Sequence, residues 1–356
     1  MLVEVCGTIQ DGVLAYKSLT FRCLKLGDNF WKEVLDFLKG EDEENRNVEH
    51  KISTINRFKL QVISHLPPKH VQVELTTKCN LKCKFCIRSN EIDGDMSMEL
   101  FKSIIDQLRR YKPLTRTLDF TGVGEPLLCE HLIPSIKYAK RYGFTVSFIS
   151  SFTFMNQALA SDLVKAQLDN LYVSFDGVSK QTFEKIRIGA SFEQVLENIK
   201  LFISVKNRLK SFKPRLVLRP TIYPDNVHEI PQFFELAEKL KVDGVSFGDY
   251  VVRGESAGLP INNKPKRRKK ISLFNFGRNF PPCISYCYIS FDGKVLPCGY
   301  LTQMVPRKDY PLFQLGDLNQ NSFSEIWFGQ RYKHFKSKIM SSNPHPKCTT
   351  VSKCYQ

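Results

Sequence analysis

Three cysteines within eight residues form the most chemically specific feature of the chain: Cys79, Cys83 and Cys86 have the spacing Cys-x3-Cys-x2-Cys. They follow an apolar, strand-like run from Val71 to Leu75. Three thiolates so close together can ligate three irons of a cubane iron–sulfur cluster and leave its fourth iron open to an outside ligand. A structural zinc site takes four ligands, so zinc here would need one more from elsewhere. Three buried, reduced cysteines without metal are the remaining alternative.

The same motif, with the aromatic Phe85 before its last cysteine, resembles the signature of the radical S-adenosylmethionine (SAM) superfamily. The resemblance spans roughly residues 70–250. It implies that Cys79, Cys83 and Cys86 hold a [4Fe–4S] cluster whose open iron is chelated by SAM. It also implies that an electron from the cluster cleaves SAM to a 5′-deoxyadenosyl radical, which abstracts hydrogen from a substrate. The cofactor would supply the chemistry, and the protein its orientation and shielding.

The composition is that of a folded, basic protein. Its 356 residues, 42% of them hydrophobic and 12% aromatic, are enough for one large domain with additions. The net charge of +16 favours an anionic or nucleic-acid partner, although the basic run Lys264–Lys270 is also typical of a solvated loop. Met1–Gln10 lacks the features of a signal peptide, and no apolar stretch reaches about eighteen residues. Eleven cysteines in this setting favour metal binding in a reducing cytoplasm, so we expect a cytoplasmic protein without a membrane partner.

Four segments are expected along the chain. Residues 1–66 form an N-terminal extension of unknown role, in which an Asp-Gly turn predicts two short strands. Residues 67–250 form a barrel, residues 251–282 a linker that contains the basic run, and residues 283–356 a small cysteine-rich α+β domain.

Strand and helix patterns alternate through the barrel segment. Apolar runs predict strands at Val71–Thr76, Thr117–Thr121, Phe144–Ser150, Asn170–Phe175, Arg215–Thr221 and Gly244–Phe247. Helical periodicity predicts helices at Ser97–Tyr111, His131–Tyr142, Asn156–Ala166, Phe192–Lys206 and Val227–Leu240. This alternation indicates an α/β fold with a parallel sheet and outer helices, and six units fit three-quarters of a barrel. The radical SAM resemblance implies the same partial (β/α)6 TIM-like barrel.

A glycine-containing loop follows the second predicted strand. It reads Gly122-Val123-Gly124-Glu125-Pro126, and parallel α/β sheets bind ligands at the carboxyl ends of their strands. Glycines let the backbone approach a ligand closely. The loop resembles the Gly-Gly-Glu-Pro element of the superfamily, with Val123 in place of its first glycine. The resemblance implies that Gly122, Gly124, Glu125 and Pro126 bind SAM at its amino group, and a plain strand–helix turn is the alternative.

Polar residues also follow the next strands. The fourth predicted strand ends in Ser174–Gly177, which resembles a Ser-x-Asp-Gly element and implies that Ser174 and Asp176 line the SAM ribose or the substrate pocket. Arg187 resembles a superfamily arginine that pairs with the SAM carboxylate, a group onto which a guanidinium forks well. Arg219 is a second candidate for that pairing, although we favour a structural ion pair for it.

A second group of cysteines lies near the C-terminus: Cys283, Cys287, Cys298, Cys348 and Cys354. The spacing Cys-x9-Gly-x4-Cys is followed by Cys-x5-Cys, and an Asp-Gly pair predicts a hairpin between them. This layout, with its Asp-Gly-x-Val-x-Pro-Cys sequence, resembles the SPASM domain or the shorter twitch domain. It implies one auxiliary [4Fe–4S] cluster held by Cys298, Cys348, Cys354 and either Cys283, which the glycine spacing favours, or Cys287. A structural zinc on the same thiolates is the alternative.

The two motif groups together predict a radical SAM enzyme with an auxiliary cluster. Relatives of this kind mature peptides or proteins, or act in cofactor and small-molecule biosynthesis, and the sequence leaves this choice open. The basic surface favours an anionic small molecule or an acidic peptide as substrate, and a reductant such as flavodoxin or ferredoxin would supply electrons. The alternative is a non-catalytic iron–sulfur or zinc-binding protein with a nucleic-acid partner, against which the intact Gly122–Pro126 loop argues.

Overall fold

Two N-terminal strands pair with each other as the sequence predicts. The computed structural model describes residues 66–86, 93–112, 114–223, 225–249, 283, 285–299 and 307–340, and the backbone of these two strands. They are β1 (Val5–Gln10) and β2 (Val13–Leu19), which run antiparallel with Gln10 opposite Val13. The rest of the predicted extension at 1–66 and the predicted linker at 251–282 lie outside the described residues.

From residue 70 the chain alternates between strands and helices. The barrel elements are β3 (His70–Val73), α1 (Met98–Leu108), β4 (Thr117–Asp119), α2 (Leu132–Arg141), β5 (Thr145–Ser150), α3 (Gln157–Lys165), β6 (Asn170–Val173), α4 (Lys180–Ile186), α5 (Phe192–Arg208), β7 (Arg215–Leu218), β8 (Thr221–Ile222), α6 (Ile230–Leu240), β9 (Gly244–Val245) and β10 (Gly248–Asp249). The C-terminal elements are β11 (Tyr286–Ile289), β12 (Lys294–Leu296), β13 (Gly316–Asp317), α7 (Phe323–Trp327) and α8 (Gln330–Met340).

Six parallel strands form the barrel sheet in the order β3-β4-β5-β6-β7-β9, with their connecting helices on the outer face. Each of them falls within one of the six predicted strands to within a residue, so the expected partial (β/α)6 TIM-like barrel is confirmed. β8 pairs in parallel with β10 beside this sheet. The carboxyl ends of all six strands therefore meet at one edge, where the candidate site residues follow them.

Capping side chains stabilise the starts of four helices. An N-cap side chain accepts the backbone N–H three residues further on in α1, α3, α4 and α5, and these caps are Ser97, Asn156, Ser179 and Ser191. The inner face of α1 is buried at the spacing of an amphipathic helix, through Phe101, Ile104, Ile105 and Leu108. The seven-residue helix α4 was not predicted. Among the described helices, none is both long and apolar enough to cross a bilayer.

The C-terminal hairpin continues the barrel sheet. β11 pairs in parallel with β3, with Tyr286 opposite His70, and β12 and β13 extend the sheet antiparallel. The predicted Asp-Gly turn is present: Gly293 has φ of +85°, a conformation that glycine adopts without strain. Trp327 of α7 is fully buried, and its indole N–H donates to the carbonyl of Leu66 at 2.9 Å. The C-terminal segment is thus anchored to the first strand of the barrel.

Candidate active site

The three-cysteine loop lies beyond the carboxyl end of β3, where the sequence predicts it. Backbone hydrogen bonds connect it to the end of α4: Lys82 donates to the carbonyl of Ile188 at 3.0 Å, and Lys84 donates to that of Ile186 at 2.9 Å. The side chain of Leu81 is buried in the core and anchors the middle of the loop. The unpredicted helix α4 therefore helps to set the position of the cysteines.

Cys79, Cys83 and Cys86 lie near one another and differ in exposure. Cys86 is exposed, whereas Cys79 and Cys83 are partly buried. The pKa of Cys79 is raised to about 11, chiefly by burial and further by the charges of Glu125, Cys83 and Cys86. Across the described ranges, no three His, Cys, Asp or Glu side chains are arranged around a single metal ion. Three thiols in one loop can each bind a different iron of a cluster, whereas a zinc site would need a fourth ligand.

Arg187 contacts one of these thiols. Its Nη1 lies 3.7 Å from Cys83 Sγ, and its Nε donates to Asp176 Oδ2 at 2.6 Å. Asp176 is 1% exposed, and its Oδ1 accepts the N–H of Thr221 at 2.6 Å. Burial acts to lower the pKa of Arg187, but the charges of Asp176 and Cys83 outweigh it and raise that pKa. The predicted site residues Asp176 and Arg187 therefore meet as an ion pair beside Cys83, with the buried Ser174 two residues before Asp176.

The glycines of the Gly122–Pro126 loop permit close packing against the chain after β3. A Cβ atom on Gly122 would lie 2.4 Å from Glu74 Cγ, and one on Gly124 would lie 2.3 Å from the carbonyl oxygen of Thr76. A larger residue at either position would clash with these neighbours. The predicted approach of these glycines to a ligand stays a prediction, and the structure adds that both positions also have close protein neighbours.

Glu125 fixes the same loop through its buried carboxylate. This carboxylate accepts the hydroxyl of Ser150 at 2.7 Å, the N–H of Ser151 at 2.6 Å and the N–H of Leu127 at 3.1 Å. The backbone N–H of Glu125 donates to the carbonyl of Lys78 at 2.8 Å, next to the first loop cysteine. Glu125 thereby holds the glycine loop, the end of β5 and the cysteine loop together.

A buried carboxylate that the sequence analysis missed, Glu74, joins the glycine loop to the C-terminal hairpin. Glu74 is 0% exposed and accepts hydrogen bonds from Arg307 Nη2 at 2.6 Å, the N–H of Val123 at 3.1 Å and the N–H of Phe291 at 3.3 Å. A signal was present, because a charged residue inside an apolar strand needs a partner when it is buried. The partner, Arg307, lies too far along the chain to be found from local pattern.

The ion pair favoured for Arg219 is not found among the described residues. Its Nη1 donates instead to Ser246 Oγ at 3.1 Å, and its guanidinium lies 5.7 Å from the centroid of the Tyr172 ring. The guanidinium therefore lies against an aromatic face and a hydroxyl.

The described cysteines of the C-terminal group are all buried and surround one tyrosine. The hydroxyl of Tyr332 donates to the carbonyl of Cys283, and the pKa of Tyr332 is raised by burial and then by Cys283, Cys287 and Cys298. Cys287 lies on β11 opposite Val71 in the main core, and burial raises the pKa of its thiol. The predicted ligands Cys348 and Cys354 lie outside the described residues.

Comparison with family models identifies this arrangement. Residues 73–243 match the model of the radical SAM superfamily, and residues 283–355 match the model of an iron–sulfur cluster-binding domain, SPASM. The chain therefore belongs to the radical SAM superfamily. Within that superfamily it is one of the enzymes that carry a SPASM domain after the barrel.

Curated relatives match most of the chain at low identity. The tungsten-containing aldehyde ferredoxin oxidoreductase cofactor-modifying protein of Pyrococcus furiosus is 23% identical over 318 residues, which cover 80% of this chain and 87% of the relative. The PqqA peptide cyclase of Rhodopseudomonas palustris is 23% identical and covers 79% of each chain. The AdoMet-dependent heme synthase of Methanosarcina barkeri is 25% identical, covering 73% of this chain and 82% of the relative.

Solved structures share the fold. The structure of SuiB from Streptococcus suis aligns with a TM-score of 0.61 at 12% identity and covers 87% of this chain and 79% of its own. The structure of anSMEcpe with bound AdoMet aligns with a TM-score of 0.55 at 16% identity and covers 75% of this chain and 82% of its own. These structures support the fold, and the two family-model matches identify the chain as a radical SAM enzyme that uses a [4Fe–4S] cluster, SAM and auxiliary iron–sulfur chemistry.

Proposed function

We propose that Cys79, Cys83 and Cys86 hold the [4Fe–4S] cluster at which SAM is reductively cleaved. The observation that carries this proposal is the thiol-bearing loop itself, which is partly exposed at the carboxyl edge of the sheet. When bound, the cluster supplies the electron that releases a 5′-deoxyadenosyl radical from SAM. The protein fixes the loop through Leu81, α4 and Glu125, so that the cysteines keep one geometry.

The residues around the loop have separate roles in binding SAM. Gly122, Gly124, Glu125 and Pro126 would bind the SAM amino group, with the loop held by the carboxylate of Glu125. Ser174 and Asp176 would line the SAM ribose or the substrate pocket. Arg187 is oriented by Asp176, and its Nη2 is not bonded to a described residue, so it is available to the SAM carboxylate.

The C-terminal thiols are proposed to hold one auxiliary [4Fe–4S] cluster. Cys283 and Cys298 are both buried and both act on the pKa of Tyr332, as Cys287 does, and Cys348 and Cys354 would complete the set. Cys287 is the alternative to Cys283. A cluster here would accept an electron from the substrate radical or anchor the substrate.

The substrate is proposed to be a peptide or a small anionic molecule, and the electron donor a flavodoxin or ferredoxin in a reducing cytoplasm. A peptide is supported by relatives such as the PqqA peptide cyclase and by the SuiB structure with its precursor peptide SuiA. A cofactor-like molecule is supported by the relative that is named for cofactor modification.

A turnover assay tests the proposal. The protein, reconstituted anaerobically with iron and sulfide, is incubated with dithionite and SAM, and 5′-deoxyadenosine is measured by chromatography. We expect product from the wild type and none above background from the triple variant Cys79→Ala, Cys83→Ala, Cys86→Ala. The matched control is Cys129→Ala, a buried cysteine outside both groups, which should keep the activity. A fully loaded wild type that forms no product would favour the non-catalytic binding protein.

A further inference from the structure

The inner face of the barrel sheet carries polar side chains that the SAM site does not use. Side chains alternate between the two faces of a strand. On β6 and β7, Leu171, Val173, Leu216 and Leu218 belong to the hydrophobic core that the outer helices cover. Tyr172 of β6 and Arg219, directly after β7, therefore lie on the opposite, inner face.

Arg219 reaches across three adjacent strands on this face. Its backbone N–H donates to the carbonyl of Val173 at 2.7 Å, so the strand pairing continues up to it. Its guanidinium lies over the ring of Tyr172 on one neighbouring strand and donates to the hydroxyl of Ser246 beyond the other. These two contacts hold the guanidinium in place, and neither of them neutralises its charge.

The nearby carboxylates on the inner face are already engaged. Asp176 is bonded to Arg187 and to the N–H of Thr221. Asp119 Oδ1 accepts the N–H and the hydroxyl of Thr121, and its Oδ2 lies 3.9 Å from His70 Nε2. The other two inward arginines described above have carboxylate partners, whereas Arg219 has none among the described residues.

Arg219 lies at the same edge of the sheet as the cysteine loop. It directly follows the carboxyl end of β7, and Thr221, two residues later in the chain, donates its backbone N–H to Asp176, which is bonded to Arg187 beside Cys83. A substrate group bound by the guanidinium of Arg219 is therefore on the same side of the barrel as the proposed SAM-binding pair.

We propose that Arg219, held by Tyr172 and Ser246, binds an oxyanion of the substrate, either a carboxylate or a phosphate. This inference rests on the proposed function, because it makes the inner face the substrate site. A guanidinium forms paired, charge-assisted hydrogen bonds with both groups. Binding there holds the substrate inside the barrel with its reacting atom toward the cysteine loop.

Equilibrium dialysis against the SAM-loaded holoenzyme tests the inference, with radiolabelled inorganic phosphate and radiolabelled propionate as separate probes at one ionic strength. We expect one saturable site per chain for at least one probe. The dissociation constant of that probe should rise at least about tenfold in Arg219→Gln. The tighter probe identifies the oxyanion. Arg219→Lys, which keeps the charge and loses the fork, should give intermediate affinity. The matched control is Arg215→Gln, which removes the same charge from the exposed start of the same strand and should bind like the wild type.

Three results would overturn the inference: equal binding by the wild type and Arg219→Gln, equal loss in Arg215→Gln, or displacement of the probe when SAM is added to SAM-free holoenzyme. The last result would assign Arg219 to the SAM carboxylate. Failure of the proposed function is read separately, as absence of 5′-deoxyadenosine from the wild type, and dialysis does not depend on that product.

Discussion

The two cysteine groups differ in how the protein surrounds them. The loop of Cys79, Cys83 and Cys86 is partly exposed at the sheet edge and has a charged neighbour, Arg187. In the C-terminal group, the described thiols are buried around the aromatic ring of Tyr332. Metal sites that act on a ligand keep an open position, whereas structural sites are closed by protein. The first group can therefore be reached by a molecule from outside, whereas the described thiols of the second group are shielded from solvent by protein.

The largest effect on stability is expected at the buried ion pair of Arg187 and Asp176, which lies beside the loop of Cys79, Cys83 and Cys86. Arg187→Met leaves the carboxylate of Asp176 buried without its cation, which should cost about 3 to 5 kcal/mol in the free energy of unfolding. Denaturant unfolding of the apo-protein measures this. The double variant Arg187→Met, Asp176→Asn removes the charge as well and should recover part of the loss. If the double variant is no more stable than the single one, the pair does not hold the loop.

A somewhat smaller loss of stability is expected at the Glu74–Arg307 ion pair, which connects the chain after β3 to the C-terminal segment. Glu74→Gln removes the nearer of two carboxylates from Arg307. Asp292 Oδ1 remains 3.9 Å from its Nη1 and the arginine is 18% exposed, so we expect about 2 to 3 kcal/mol of destabilisation. Because Glu74 also accepts the N–H of Val123, SAM affinity should fall in the holoenzyme. Asp225→Asn is the control, since its pairs with Lys84 and Lys185 are at the surface and should contribute about 1 kcal/mol or less. Equal effects of the two variants would contradict a special role for Glu74.

Alanine substitutions in the C-terminal cysteine group distinguish a cluster ligand from a cysteine that only packs in the core. Cys287 points into the core beside Val71, so Cys287→Ala should cost about 1 kcal/mol and leave the iron content unchanged. Cys298→Ala should remove the iron of one cluster. Iron analysis and absorbance spectroscopy measure both. Loss of a cluster in Cys287→Ala would make Cys287 the ligand in place of Cys283.

The smallest perturbation is chemical labelling of the metal-free protein. Iodoacetamide should modify the exposed Cys86 first and the buried Cys287 last, as followed by mass spectrometry of peptides. Because burial raises the pKa of Cys79 to about 11, its labelling should quicken roughly tenfold per pH unit between about pH 7 and about pH 9, as the thiolate fraction rises. Faster labelling of Cys287 than of Cys86 would reverse the contrast between the two groups.

Local pattern was sufficient for the barrel. Each of the six barrel strands and five of its helices follows from apolar runs, helical spacing and caps such as Ser97. The short helix α4 was missed because seven residues give too little periodicity to separate from a loop.

Long-range contacts account for what the sequence did not show. Glu74 and Arg307 meet although they are 233 residues apart in the chain, and the pairing of β11 with β3 also joins residues more than two hundred positions apart. Motifs identified Asp176 and Arg187, but only coordinates show that the two bind each other. Sequence motifs show which residues could bind a metal or cofactor, whereas the partner of a buried charge depends on the completed fold.

The pairing of β11 with β3 also has a consequence for biosynthesis. During translation the first barrel strand lacks its neighbour on one side until a segment more than two hundred residues later leaves the ribosome. An unpaired strand edge can associate with other chains, and contacts so distant in sequence form slowly. A nascent or truncated polypeptide ending near residue 249 should therefore be prone to aggregation, and chaperone protection of that edge would matter most before β11 has been made.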